Sequence, residues 1–154
     1  MNNRKQIIIF VILLVVYALS AFLTYALFAD QMSAAAGIPM PDMGVSNIVL
    51  GIANAGIILV FYGILGLAGY WFARKLELPG IFSEDGNWRR WFFIPLMLGL
   101  LCGIFLVAGD FLFSSINGIG RFPHPAFPSS ILASISAGIG EEIIFRGFVF
   151  GLWG

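Results

Sequence analysis

The chain has 154 residues, 60% of them hydrophobic and only 10% charged, with a formal net charge of zero and a mean hydropathy of +0.97. Soluble domains carry about 25% charged residues, so this composition excludes a water-soluble globule. With no charge excess and no basic stripe, it also excludes a nucleic-acid partner.

The first predicted element is the uncharged apolar run 7–29, long enough for a helix to cross the roughly 30 Å of a bilayer core. Arg4 and Lys5 precede it, and Ala34 to Ala36 resemble a cleavage site. The run is longer than the roughly 7–15 residues of a signal-peptide core, so an uncleaved helix is expected. The stretch "DQMSAAAGIPMPDMGVS" (30–46) is small, polar and proline-containing, and reads as a loop. A second apolar run covers 47–73.

The following loop, "RKLELPGIFSEDGNWRR" (74–90), carries Arg74, Lys75, Arg89 and Arg90, and Trp71, Trp88 and Trp91 flank it as an aromatic belt would. A third run, 91–113, is interrupted only by Asp110, which lies near its end and reaches headgroups. Cys102, the single cysteine, can form no internal disulfide and reads as a small packed residue. Gly99 and Gly103, like Gly147 and Gly151, have the GxxxG spacing of close helix packing, here expected to be internal.

The connector 114–130 has three prolines after Arg121, and His124 lies between two of them as a solvent or headgroup residue. Ser129 and Ser130 are N-cap candidates for a fourth run, 131–154. In lipid the backbone must satisfy its own hydrogen bonds, so these runs are helices. None has the sustained alternation of a barrel strand. The expected fold is one all-α polytopic membrane domain, 1–154, with about four transmembrane helices in an incomplete bundle. The N-terminal tail and the 74–90 loop together hold six Lys and Arg, against one in 30–46 and 114–130. The positive-inside rule therefore puts the first pair in the cytoplasm.

The fourth run contains "AGIGEEIIFRG" (137–147), with Glu141, Glu142 and Arg146 inside an apolar segment. Ionisable residues at membrane depth are costly and mark function by default. Glu142 and Arg146, four apart, share a helix face and can pair. Glu141 points about 100° away and is free to face a cavity. Ser134, Ser136, Ala137, Gly138 and Gly140 leave room beside it. Burial disfavours a charged carboxylate and a nearby arginine favours it, a balance suited to a general base. Two other readings stay open. One is a buried Glu–Arg pair that locks helices together, and the other is an ion or proton relay.

"EEIIFR" (141–146) followed by Gly147 resembles the first motif, EExxxR, of the CAAX protease and bacteriocin-processing family, the type II CAAX prenyl endopeptidases and their bacterial Abi-like relatives. Upstream of the motif the likeness is only one of hydrophobicity. The resemblance implies an intramembrane endopeptidase acting on a prenylated or otherwise membrane-bound peptide or protein. Glu141 matches the glutamate that activates water, and Glu142 and Arg146 match the residues that orient the site. In bacteria the family is linked to bacteriocin maturation or self-immunity, so a non-catalytic scaffold or immunity protein is the alternative. The resemblance leaves open a divalent metal such as zinc, which two adjacent glutamates cannot hold without further ligands.

The family's later motifs, FxxxH and HxxxN or HxxxD, are not found. Leu152 stands four residues after Phe148, and the chain ends on "GLWG" in an apolar run. The region from 131 thus resembles the start of the family domain, truncated at 154, and is expected to be inactive by itself.

Overall fold

The computed structural model describes residues 3–36, 44–78, 87–118, 120–121 and 124–149, and it is all-α, with no strand among the described residues. Among the described residues three helical spans are long and apolar enough to cross a membrane: Arg4–Ala34, Asn47–Lys75 and Ile94–Ser114. The chain is therefore an all-α membrane protein. The fourth expected run, 131–154, is helical as far as it is described, as α5 (Ser129–Glu141) followed by a π-helix, Glu142–Val149; it is not one of those three spans, and Glu141, Glu142 and Arg146 lie within it. Residues cluster into two units, Met1–Phe82 with His124–Gly154, and Ser83–Pro123.

In the first unit α1 (Asn3–Ala36) is longer than the apolar run that nucleates it. Phe28, at φ −129° and ψ 17°, kinks the helix, which then resumes through "ADQMSAAA". That segment was expected as loop. Its alanines, Gln31 and Met32 are good helix formers, and composition wins over polarity there.

α2 (Asn47–Ile57) starts at Ser46, whose hydroxyl oxygen accepts from the Val49 N–H at 3.4 Å. A π-helical turn, Ile58–Tyr62, joins it to α3 (Gly63–Lys75). α3 ends in a Schellman motif. The Leu78 N–H donates to the Ala73 carbonyl at 2.9 Å, and the Glu77 N–H donates to that of Arg74 at 3.3 Å. Glu77 takes the left-handed conformation this requires, with φ 56°. Arg74 and Lys75 sit in the last turn, where cations complement the helix dipole.

α1 is the centre of this unit, with α2 and α5 packed on it and α3 packed on the Glu142–Val149 π-helix. Gly51 lies against Phe22, Gly63 against Leu14 and Gly66 against the Phe10 ring, so α2 and α3 run antiparallel to α1. α5 is antiparallel to α1 as well. Its Ser136 hydroxyl is 2.9 Å from that of Ser20, and its Gly140 lies against the Tyr17 ring.

The core is Phe10, Leu14, Tyr17, Ala18, Ala21, Ile58 and Ile143, with Tyr17 and Tyr62 edge to face at 4.9 Å. Polar Gln6, Ser20, Thr24 and Ser129 are buried beside it, while Ile8, Ile12, Val15 and Leu19 face outward. The Ser20 hydroxyl donates to the Tyr17 carbonyl, and that of Thr24 donates to the Ser20 carbonyl, both at 2.8 Å. Apolar surface outside and small or hydroxyl residues inside suit lipid, where helices gain nothing from hiding apolar groups and associate through close packing and hydrogen bonds.

In the second unit, a π-turn (Arg89–Phe93) leads into α4 (Ile94–Ser114). The Arg90 N–H donates to Asn87 Oδ1 at 3.0 Å, and Pro95 sits in the first turn of α4, where its missing N–H costs nothing. Near the other end the Arg121 guanidinium lies 3.8 Å from the Phe111 ring centroid, and Asp110 is half-buried.

Cys102, expected as a packed residue, is exposed on α4, and among the described residues nothing lies within 4 Å of a Cβ built at Gly99 or Gly103. Internal packing is therefore not what their spacing serves within this unit. Apart from Asp110, α4 is apolar all round over Ile94–Phe113, so lipid can cover the faces that Gly99, Cys102 and Gly103 present. The other GxxxG pair includes Gly151, outside the described residues.

Candidate functional site

α5 begins without the expected hydroxyl cap. Pro128 occupies the N-cap position, and Ser129 is already helical. The Ser129 hydroxyl turns back to donate to the Ala126 carbonyl at 2.7 Å, so it is engaged as a donor before it can accept from the helix N-terminus. Ser129, Ser136, Gly140 and Ile143 recur at seven, four and three residues and form the packed seam of this helix. Gly140 is small because Tyr17 lies on it. A Cβ there would stand 2.8 Å from Tyr17 Oη. Ile143 is buried, close to Gly66 and the Phe10 ring.

Glu141 and Glu142 stand between Gly140 and Ile143 in sequence, but both are exposed. The expected cavity around Glu141 is thus not enclosed by the described residues. The physical reason lies in the seam. Gly140 and Ile143 take the inward positions, so the two residues between them turn outward. Glu141 closes the α-helix and Glu142 opens the π-helix, a rare geometry that occurs often at functional sites. The Arg146 side chain lies outside the described residues, and with it the expected Glu142–Arg146 pair.

Depth follows from the helix registry. Ile143, Phe10 and Gly66 share one level. Phe10 is seven residues from the start of α1, or about 10 Å at 1.5 Å per residue. The glutamates therefore lie about 10 Å below the end of the bundle that carries Lys5, Arg74 and Lys75. Gln6 and Tyr70, each one turn from this level, were not singled out from sequence. Their signal was a polar group at helical spacing in an apolar run.

His124 is exposed before the opposite end of α5. It is separated from Glu141 by the length of that thirteen-residue helix, about 18 Å, and does not reach the glutamates. Among the described residues no three His, Cys, Asp or Glu side chains assemble as metal ligands. Glu141 and Glu142 alone do not fit zinc, which takes at least three protein ligands.

The arrangement offers two adjacent carboxylates about 10 Å below one end of the helix bundle, positioned by a close-packed seam and open on its outer side. No family model, curated protein or solved structure matches the chain.

Proposed function

We propose that this membrane protein is an intramembrane endopeptidase of the CAAX type, with Glu141 as general base. The observation that supports the reading is the position of Glu141. It sits at the junction of α5 and the π-helix, off the packed seam and about 10 Å inside the bundle end. Its carboxylate takes a proton from a water whose oxygen attacks the carbonyl carbon of a membrane-bound peptide. The tetrahedral intermediate then collapses, the C–N bond breaks, and the proton passes to the leaving amine. Glu142 and Arg146 hold the adjacent backbone and charge. By the same reading the end bearing Lys5, Arg74 and Lys75 is cytoplasmic, and the substrate reaches Glu141 from that side.

The exposure of both carboxylates favours a second reading, a scaffold or immunity protein whose acidic ledge binds a basic partner helix. One experiment separates the two. The protein from its full reading frame is reconstituted in vesicles and given a lipidated peptide. Glu141→Gln keeps shape and polarity but accepts no proton, and it is expected to abolish cleavage at unchanged membrane yield. Near-normal turnover by the variant would remove Glu141 as the base, and no cleavage by the unaltered protein favours the scaffold.

A further inference from the structure

We infer that the end of the first unit where α1 begins and α3 finishes binds the headgroup phosphate of an anionic phospholipid, held by Arg74 and Lys75 above the Tyr70 and Trp71 rings. The inference is independent of the peptidase reading.

The last turns of α3 set two cation–aromatic pairs side by side. Tyr70 and Arg74 are four apart, as are Trp71 and Lys75, and residues so spaced are neighbours on a helix. The Arg74 guanidinium lies 6.0 Å from the Tyr70 ring centroid, and the Lys75 ammonium 5.5 Å from that of Trp71. Both are within cation–π range. Among the described residues these rings, and no carboxylate, are the partners of the two cations. Arg74, Lys75 and Trp71 are all exposed. Each cation is thus steadied by a ring while its charge stays open to a further partner. A guanidinium matches a phosphate with two parallel N–H donors, and an ammonium adds point charge beside it.

Height selects a lipid phosphate as that partner. Phe10 and Gly66 share one level. Lys5 is five residues from it and Lys75 nine, or about 7.5 and 13.5 Å along the helices. Arg4 and Arg74 fall between these heights, so the four cations occupy a layer about 6 Å thick. The headgroup region takes about 5–7.5 Å on each side of the hydrocarbon core. Trp71, at about 7.5 Å, stands at the inner edge of the layer, where belt aromatics are found.

Charge selects an anionic lipid. Arg4 and Lys5 are exposed, and the first turn of α1 contains no acidic residue. Among the described residues of this end, Glu77 is the one carboxylate set against the four cations. A lipid of net negative charge complements that balance, whereas a zwitterionic lipid brings a cation of its own.

The test is a titration of the full-length protein, solubilised in neutral detergent, with phosphatidylglycerol and separately with phosphatidylcholine. Native mass spectrometry reads the dissociation constant of the first bound lipid. A basic residue near an anionic lipid surface is worth about fivefold in affinity. Phosphatidylglycerol is therefore expected to bind at least about fivefold tighter than phosphatidylcholine. Arg74→Gln and Lys75→Gln should each weaken phosphatidylglycerol binding about fivefold, and Lys75→Arg should preserve it. Trp71→Leu should weaken it with no change of charge. Glu77→Gln should tighten it, a gain that misfolding cannot produce. Arg121→Gln, which removes a single cation stacked on Phe111 in the second unit, should leave it unchanged.

Equal affinity for the two lipids overturns the inference. So does an equal loss with Arg121→Gln, which would mean diffuse attraction to any cation. Displacement of the lipid by soluble glycerol phosphate would also overturn it, by making a free phosphate the ligand.

Discussion

Glu77 shows how a single residue carries the end of a helix. The Schellman motif needs a left-handed residue just past α3, a position glycine usually fills, and here a glutamate holds φ 56°. An L-residue in that region is disfavoured by about 1–2 kcal/mol, partly offset by the greater chain entropy that glycine loses on folding, about 0.5–1 kcal/mol. Glu77→Gly is therefore expected to stabilise the protein by about 0.5–1 kcal/mol, read as a higher unfolding temperature in detergent. A lower temperature would mean that the Glu77 side chain makes a contact worth more than the strain. The motif was hidden in "KLELPG" because the φ of Glu77 is set by hydrogen bonds to Ala73 and Arg74, not by its own preference. Glu141, by contrast, was legible at once, since a charge within an apolar run needs no neighbour to be noticed.

Helix pairs are the next scale, and glycine content alone does not say which glycines matter. A Cβ at Gly66 would overlap the Phe10 ring, and one at Gly51 would stand 2.8 Å from the Phe22 carbonyl oxygen. Nothing lies within 4 Å of one at Gly103. Gly66→Ala is expected to destabilise by about 1–3 kcal/mol through overpacking. Gly103→Ala should be neutral or stabilising by up to about 1 kcal/mol from helix propensity. Detergent unfolding of the two variants should move in opposite directions or differ by that margin. Equal destabilisation would show that α4 packs closely at Gly103.

The α1–α5 pair has its own marker in the Ser20–Ser136 hydrogen bond. A double-mutant cycle with Ser20→Ala and Ser136→Ala is expected to give a coupling of about 0.6 kcal/mol, the average for such bonds in membrane helices. Zero coupling would mean that Ser20, already donating to the Tyr17 carbonyl, gains nothing across the pair.

For the whole molecule the open property is its direction in the membrane. The hairpin of α1 with α2–α3 puts the start of α1 and the end of α3 at one end of the first unit, so Arg4, Lys5, Arg74 and Lys75 are gathered there. Trp71 stands 5.5 Å from the Lys75 ammonium at the same end, as expected of a headgroup belt. In a Cys102→Ala background, Lys75→Cys should resist an impermeant thiol reagent added outside intact cells, and Ser115→Cys should react. Labelling of Lys75→Cys from outside would invert the topology and put Glu141 near the opposite surface.

The sequence by itself determined the solvent and the class of element. Runs of apolar residues longer than 18 leave lipid as the only comfortable surroundings and the α-helix as the only backbone that satisfies itself there. It also exposed Glu141, Glu142 and Arg146 as the chemistry worth testing, because local composition is enough to make a charge conspicuous. The tertiary structure decided what depends on registry between distant segments. It set Gly140 under Tyr17 and Ile143 by Phe10, which turns both glutamates outward instead of into an enclosed cavity. It extended α1 past Phe28, engaged the Ser129 hydroxyl with Ala126, and left Cys102 exposed. It also brought Gly66 against Ile143 across 77 positions of chain. That neighbour relation is fixed by which small residues let helices approach, and no local pattern along the chain encodes it.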